Sequence, residues 1–262
     1  MEKQILIGLD RGVWYYNLHE ICEKCIELKL NGLEIQVEHP EIFKNFPTIG
    51  NLQKLLKDFD IKLVSIHAPI KDINISSYNP RIRKISVKEL KETIKFAAKL
   101  SDNILYIVVH GGQNSFRSPS KFEKSYLPKA IQFTITALKE LQKECEEYNI
   151  PLSIENMTYS PWRLSSKIKY LDQIFKELPQ LKFTFDYAHG LYGSQWYSYR
   201  ILKKYKKRLI SVHIGQFFEI RNIYNHIKEI NPYIIIEPHH LHGELNVFEQ
   251  LKIIIPKIRA LH

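Results

Sequence analysis

Cysteine is scarce in this chain, and its number and spacing give little sign of a disulfide framework. The 262 residues include three cysteines, Cys22, Cys25 and Cys145, an odd number that cannot be fully paired within one chain. Cys22 and Cys25 form a C-x-x-C pair on one face of a predicted helix over residues 17–30, away from the strand ends described below. A redox or zinc role is the alternative, but the placement favours small buried apolar residues.

The sequence also lacks a long hydrophobic run. No uninterrupted apolar stretch reaches the roughly 20 residues that a membrane span needs. No basic and then apolar leader precedes the strand-like residues 5–8 (ILIG), so we expect a soluble, cytoplasmic protein with no membrane partner. Linkers, low-complexity segments and repeats are lacking too. We therefore expect residues 1–262 to form one domain, and the 44% of hydrophobic residues suffices for a large core.

Acidic residues are in the minority, which raises the question of a nucleic-acid partner. The chain has 38 Lys and Arg against 28 Asp and Glu, a net charge of +10. The densest basic run, residues 203–208, closes a predicted helix and leads into a strand, at the end of the fold opposite the strand ends that carry ligands. Lys91, Lys95 and Lys99 recur every four residues, as on a solvated helix face. Most of the basic excess therefore indicates surface composition.

Six apolar, β-branched-rich runs share one feature, because each closes on a His, Glu or Asp. Such runs are typical of buried parallel strands. They are residues 61–67 (IKLVSIH), 103–110 (NILYIVVH), 151–155 (PLSIE), 181–186 (LKFTFD), 209–213 (LISVH) and 233–237 (YIIIE). Two further strands are predicted over residues 4–10 and 32–37. Helices are predicted over residues 17–30, 48–60, 81–100, 122–148, 167–178, 194–206, 219–230 and 245–260. Strict alternation of eight strands and eight helices predicts a single α/β domain with the (β/α)8 TIM-barrel fold.

The six strand ends predict a metal centre, because the carboxyl ends of parallel strands meet at one mouth of such a barrel. The candidate ligands are His67, His110, Glu155, Asp186, His213 and Glu237. One strand-end His alone is more often a hydrogen-bonded structural residue, but six such ends together favour metal binding. Three imidazoles and three carboxylates suit Zn²⁺, Mn²⁺ or Co²⁺, and six ligands allow one or two ions.

The residues two positions before these ligands support the same interpretation. They face the barrel interior with the ligands, and four of the six are small hydroxyl residues: Ser65, Ser153, Thr184 and Ser211. A purely structural barrel interior would prefer branched apolar residues there. Hydroxyl groups beneath a metal site can orient its carboxylates and imidazoles.

Motifs along the whole chain resemble those of the xylose-isomerase-like TIM barrels. This group includes sugar phosphate isomerases/epimerases and apurinic/apyrimidinic endonucleases of the endonuclease IV type. The motifs are residues 65–69 (SIHAP), 71–77 (KDINISS) with 81–90 (RIRKISVKEL), 108–112 (VVHGG), 153–157 (SIENM), 185–190 (FDYAHG), 212–215 (VHIG) and 235–238 (IIEP). The resemblance implies that Glu155, Asp186, His213 and Glu237 form the metal quartet common to the epimerases.

In the endonuclease type the resemblance implies more ligands. There His67 and His110, with Glu155 bridging, would hold a second ion, and His189 would be a further ligand or a substrate contact. The D-x-H segment that completes a third metal site in that type is missing after His213. The nearest imidazole, His226, falls inside a predicted helix, and three more follow the eighth strand: His239, His240 and His242. We therefore expect His189 to contact substrate.

Two enzymatic functions and one non-enzymatic alternative follow. The first is a metal-dependent isomerase or epimerase of a sugar or sugar phosphate, acting through a metal-stabilised enediolate, with Glu155, Glu237 and His189 catalytic. Its candidate substrate contacts are His189, Glu34, Arg11, Trp14 and Trp162, with Lys71, Arg117 and Arg163 as further candidates for a phosphate. The second is a phosphodiesterase acting on abasic or damaged DNA. The third is a metal-binding barrel without catalysis. Barrels of this group are often oligomeric, so a homo-oligomer is an open alternative.

Overall fold

The computed structural model describes residues 4–44, 49–116, 121–238 and 246–261, and these ranges contain a closed parallel barrel. Its eight strands follow one another around the barrel in chain order, which confirms the predicted (β/α)8 fold. They are β1 (Ile5–Gly8), β2 (Gly32–Gln36), β3 (Leu63–His67), β4 (Ile104–His110), β5 (Leu152–Glu155), β6 (Lys182–Asp186), β7 (Leu209–Ile214) and β8 (Tyr233–Ile236). Every neighbouring pair is parallel, including β1 with β8.

Helices in the described ranges surround this barrel. They are α1 (Leu18–Glu27), α2 (Pro40–Lys44), α3 (Ile49–Asp58), α4 (Pro80–Leu100), α5 (Lys121–Glu147), α6 (Ile168–Glu177), α7 (Tyr187–Leu191), α8 (Gln195–Tyr205), α9 (Phe217–Ile227) and α10 (Val247–Arg259). Eight of them correspond to the predicted helices. The predicted starts at Thr48 and Leu245 lie outside the described residues. None of the described helices is long and apolar enough to cross a membrane.

Two short helices, α2 and α7, were not predicted. Each has five residues, too few for an apolar period to show in the sequence. The predicted bounds of α9 were also wrong, because it begins at Phe217 rather than Glu219. The Glu219 side chain reaches back to the backbone N–H of Gln216, so Glu219 is the third residue of the helix and caps its start.

The core lies on both faces of the strands. Side chains such as Ile7, Ile35 and Ile66 are fully buried, because one face of each strand fills the barrel and the other packs under the helices. The three cysteines are also buried and unpaired, as predicted. Burial raises the pKa of Cys22 and Cys145 to about 12 and that of Cys25 further, so these thiols stay protonated at neutral pH.

A layer of hydroxyl groups crosses the barrel below its mouth. Parallel register places Thr184 of β6 beside Ser211 of β7 and beside Glu155 of β5, which lies two residues after Ser153. The hydroxyls of Ser153 and Thr184 are 2.7 Å apart, and those of Thr184 and Ser211 are 2.9 Å apart. These are three of the four hydroxyl positions predicted to lie beneath the ligands. The chain of hydrogen bonds satisfies groups that would otherwise be buried without partners.

Candidate metal centre

The six predicted ligands lie at one mouth of the barrel, and five of them, together with His189, form three overlapping groups. In each group the ligand atoms all lie within 4.8 Å of one another. The groups are His67, Glu155 and His213; Glu155, Asp186 and His189; and Asp186, His213 and Glu237. Because neighbouring groups share members, the donors form one continuous cluster rather than separate sites.

Glu155, at the end of β5, is the centre of this cluster. Its Oε2 lies 3.3 Å from Nε2 of His67, 3.4 Å from Nε2 of His110 and 3.6 Å from Nδ1 of His213. Its Oε1 lies 2.9 Å from Nδ1 of His189. Burial would raise the pKa of this carboxyl, but the surrounding imidazoles outweigh burial and hold the pKa well below its usual range. Glu155 is therefore an ionised carboxylate with both oxygens turned to imidazoles.

His213 joins Glu155 to the other side of the cluster. Its Nδ1 lies 2.9 Å from Oε1 of Glu237, which directly follows β8. Asp186 completes the group with His213 and Glu237. Strand register explains this proximity, because Asp186 and His213 are direct partners on β6 and β7. One imidazole atom thus faces two carboxylates, contributed by β5 and β8.

The buried imidazole of His110 lies beside Glu155. Both of its ring nitrogens are buried, and neither makes an aligned hydrogen bond within the part of the chain that the structure describes. Burial lowers the pKa of His110, which favours a neutral imidazole carrying a lone pair. An orphaned imidazole 3.4 Å from a shared carboxylate is the kind of donor that a transition-metal ion completes. The residues present therefore fit a divalent metal.

The imidazole of His67 contacts the backbone through Nδ1 and faces the donor cluster through Nε2. Its Nδ1 lies 2.9 Å from the carbonyl oxygen of Ala68, which can only accept a hydrogen bond. His67 therefore donates from Nδ1 and turns Nε2 to Glu155. Such a backbone contact fixes the tautomer of a metal-ligating histidine.

Comparison with known proteins decides the family. Residues 22–262 match the sequence profile of the family described as xylose isomerase-like TIM barrel. The chain belongs to this family. A relative is the uncharacterized protein MJ1614 of Methanocaldococcus jannaschii, which is 28% identical over 234 residues; the match covers 82% of this chain and 86% of the relative.

Solved structures of the xylose isomerase-like fold superpose on nearly the whole chain. A D-tagatose 3-epimerase-like protein has a TM-score of 0.78 at 21% identity and covers 98% of this chain and 97% of its own. The apo form of 3-keto-D-glucoside 4-epimerase YcjR from E. coli has a TM-score of 0.77 at 13% identity. The match covers 99% of this chain and 100% of the epimerase chain. At these identities the likeness shows the fold that this chain shares with sugar epimerases.

His189 lies beside Glu155 and Asp186, two members of the predicted metal quartet. Its Nδ1 lies near three acceptors: 2.9 Å from Oε1 of Glu155, 3.0 Å from the carbonyl oxygen of Asn156 and 3.3 Å from Oδ2 of Asp186. Burial would lower the pKa of His189, but Asp186 and Glu155 outweigh it and raise the pKa to about 9. The Nδ1–H of His189 therefore lies against these acceptors and holds the imidazole beside Glu155 and Asp186.

Two contributors to the site were missed in the sequence. Asn156 brackets Asp186: its side-chain amide donates to the Asp186 carbonyl at 2.8 Å, and its Oδ1 accepts from the Asp186 N–H at 2.9 Å. Tyr106 lies fully buried deeper in the barrel, where its hydroxyl donates to Glu34. Both were visible in principle, since Asn156 directly follows Glu155 and Tyr106 shares the inward period of His110 on β4.

The predicted substrate contacts are placed differently from one another. Glu34 is 2% exposed and lies beneath the cluster, whereas Arg11 is exposed on the loop after β1. Trp14 on the same loop donates from Nε1 to the Leu9 carbonyl at 3.1 Å and has the Lys71 ammonium 4.3 Å above its ring.

The loops after β4 and β5 contact each other and line a cavity beside His110. Arg163 pairs with Gln113 in an isolated antiparallel bridge, and the carbonyl of Trp162 accepts from the Asn114 N–H at 2.7 Å. A cavity of about 240 Å³ lies between these loops and the loop after β3, with His110 and Arg163 in its lining. His226 is exposed on α9. Four predicted candidates lie outside the described residues: Arg117, His239, His240 and His242.

Proposed function

We propose that the protein is a divalent-metal-dependent isomerase or epimerase of a sugar or sugar derivative. The observation that carries the proposal is the pair of buried carboxylates, Glu155 and Glu237, which both face His213 Nδ1, at 3.6 Å and 2.9 Å. Sugar epimerases among the solved structures share the fold over nearly the full chain, which supports the same reaction class.

The residues of the cluster would share three tasks, which are metal binding, proton transfer and the positioning of Glu155. A divalent ion bound among Glu155, Asp186, His213 and Glu237 would polarise a substrate carbonyl as a Lewis acid. Glu155 is ionised, so it can accept the proton on the carbon next to that carbonyl. Glu237 comes from β8, three strands further around the barrel than β5, and can return a proton from the other side. His189 holds the Glu155 carboxylate in place through Nδ1–H.

The test is proton exchange rather than a guess at one sugar. The protein loaded with Mn²⁺, Co²⁺ or Zn²⁺ is incubated with a panel of ketoses and keto-glycosides in D₂O, and NMR follows deuterium entering the carbon next to the carbonyl. We expect exchange with at least one sugar, and its loss in Glu155→Gln and Glu237→Gln. The control is Glu177→Gln, which removes an exposed carboxylate paired with Lys139 on the outside of the barrel. Equal exchange in all four proteins would contradict the proposal.

One observation favours a second candidate, a phosphodiesterase acting on abasic DNA. His67 and His110 approach the same oxygen, Oε2 of Glu155, at 3.3 Å and 3.4 Å, an arrangement that a carboxylate bridging two ions would use. A one-metal isomerase needs neither histidine. Cleavage of a duplex with a single abasic site, strongly weakened by added salt, would favour this candidate, because phosphate contacts release counterions. Sugar proton exchange without cleavage would exclude it.

A further inference from the structure

A carboxylate that none of the chemistry above uses lies directly beneath the metal cluster. Glu34 of β2 is 2% exposed, and its Oε1 lies 3.1 Å from Nε2 of His213. Its Oε2 accepts hydrogen bonds from the Ser65 hydroxyl at 3.0 Å and from the Tyr106 hydroxyl at 3.0 Å. A buried carboxylate is costly unless its partners are fixed, and here both oxygens have partners from neighbouring parts of the barrel.

The two nitrogens of His213 point to opposite sides. Nδ1 faces Glu237 and Glu155 in the cluster, and Nε2 faces Glu34 below it. In this arrangement Nε2 has no aligned hydrogen bond, and Glu34 provides the ion-pair contact to it among the described residues. Carboxylates therefore face both ring nitrogens, because Nδ1 lies 2.9 Å from the acceptor Oε1 of Glu237 and Nε2 lies 3.1 Å from Oε1 of Glu34. A neutral imidazole has one N–H and one lone pair, so a metal ion held by Glu237 and Asp186 would take the lone pair at Nδ1 and leave the Nε2–H to Glu34.

We propose that Glu34 is a positioning residue that holds His213 with Nε2–H towards the barrel interior and the Nδ1 lone pair towards the metal. A carboxylate behind a histidine ligand fixes its tautomer and ring orientation and makes it a better donor. Ser65 and Tyr106 in turn hold Glu34 through hydrogen bonds to its Oε2. Three residues therefore support the orientation of His213. This assigns Glu34 a place below the site, in contrast to the substrate contact predicted from its inward direction.

The inference rests on the proposed metal centre, so the first measurement is metal binding itself. Co²⁺ is titrated into metal-free protein and followed by its visible absorption. Glu34→Gln keeps the side-chain volume and is expected to weaken Co²⁺ binding by roughly 10- to 100-fold. Tyr106→Phe removes one hydrogen bond to Glu34 and is expected to weaken Co²⁺ binding less than Glu34→Gln does.

A matched control separates positioning from a general effect of removing a buried carboxylate. Glu219→Gln makes the same change at a carboxylate that is 4% exposed and accepts from the Gly215 N–H, outside the cluster. We expect its Co²⁺ affinity to stay within about twofold of the wild-type value. A merely structural role for Glu34 would lower the melting temperature while leaving the Co²⁺ affinity at the wild-type value, and that result overturns the inference.

The tautomer gives a second readout that does not depend on activity. In the zinc-loaded protein labelled with ¹⁵N-histidine, we expect His213 to show a protonated Nε2 and a metal-bound Nδ1. In Glu34→Gln we expect the Nε2–H signal to shift or broaden. Binding of His213 through Nε2 in the wild type overturns the inference and leaves the metal centre standing. Failure of the wild type to bind Co²⁺ or Zn²⁺ overturns both.

Discussion

The backbone N–H of His189 donates a 2.6 Å hydrogen bond to Oδ1 of Asp186, so the last residue of β6 is also the N-cap of α7. One side chain thus ends a strand, starts a helix and faces the candidate metal centre. This turn brings His189 back over the barrel, where its Nδ1 lies 2.9 Å from Oε1 of Glu155. The two ends of residues 186–189 (DYAH) therefore both contribute to the same cluster of donors.

The two roles of Asp186 can be separated by substitution. Asp186→Asn keeps a good capping side chain but loses the carboxylate charge, whereas Asp186→Ala loses both. We expect both variants to bind Co²⁺ much more weakly than the wild type. Compared in the metal-free state by urea unfolding, Asp186→Ala should be less stable than Asp186→Asn by about 1 kcal/mol, the usual worth of an N-cap. Equal stabilities would show that the capping bond contributes nothing.

Metal affinity should rise with pH. Burial alone would lower the pKa of His213, but the charges of Glu34, Glu237 and Glu155 outweigh it and raise the pKa well above its usual value. While His213 is protonated, its imidazole carries a proton that a metal ion must displace, so binding releases protons. Affinity should therefore increase with pH through the neutral range. Calorimetry of Zn²⁺ binding in buffers of different ionisation enthalpy counts the protons, and a pH-independent affinity with no release would contradict this.

The short helix α7 depends on a close approach that only glycine allows. A Cβ on Gly190 would lie 2.9 Å from Cβ and 3.2 Å from Cα of Ser198 on α8, and still nearer to the Ser198 hydroxyl. Gly190→Ala should therefore lower the free energy of unfolding by about 1–3 kcal/mol, as overpacking does. Gly50 on α3 is the control, because a Cβ there meets nothing within 4 Å. Gly50→Ala should be neutral or stabilising in the same urea titration, and an equally neutral Gly190→Ala would refute the packing argument.

The sequence predicted the strand ends well because their pattern is local. An apolar run closing on a His, Glu or Asp is visible in five to eight letters, and in the structure all six such residues reach one mouth. What the pattern could not give was height within the barrel. Glu34 pairs in register with Ser65, two residues before His67, so it lies one layer below the ligands although it faces inward with them.

Short helices and turns were the second kind of feature that the sequence did not predict. Neither α2 nor α7 repeats an apolar period, so the capping role of Asp186 became visible only through its distance to His189. The places of Asn156 and Tyr106 in the chain were visible in the sequence, but their contacts to Asp186 and Glu34 join different strands. A single sequence carries no direct signal for such contacts between strands.

The most direct test of the account is the metal content per chain, by elemental analysis of protein purified without chelator or affinity tag. We expect at least one divalent ion per chain, retained as one ion when His67→Ala and His110→Ala are combined, and lost in His213→Ala. A fall from two ions to one in the double variant would indicate the bridged pair and favour the phosphodiesterase. A wild-type protein that holds no ion, and takes up none of Zn²⁺, Mn²⁺ or Co²⁺ when they are added, would contradict the account at its centre.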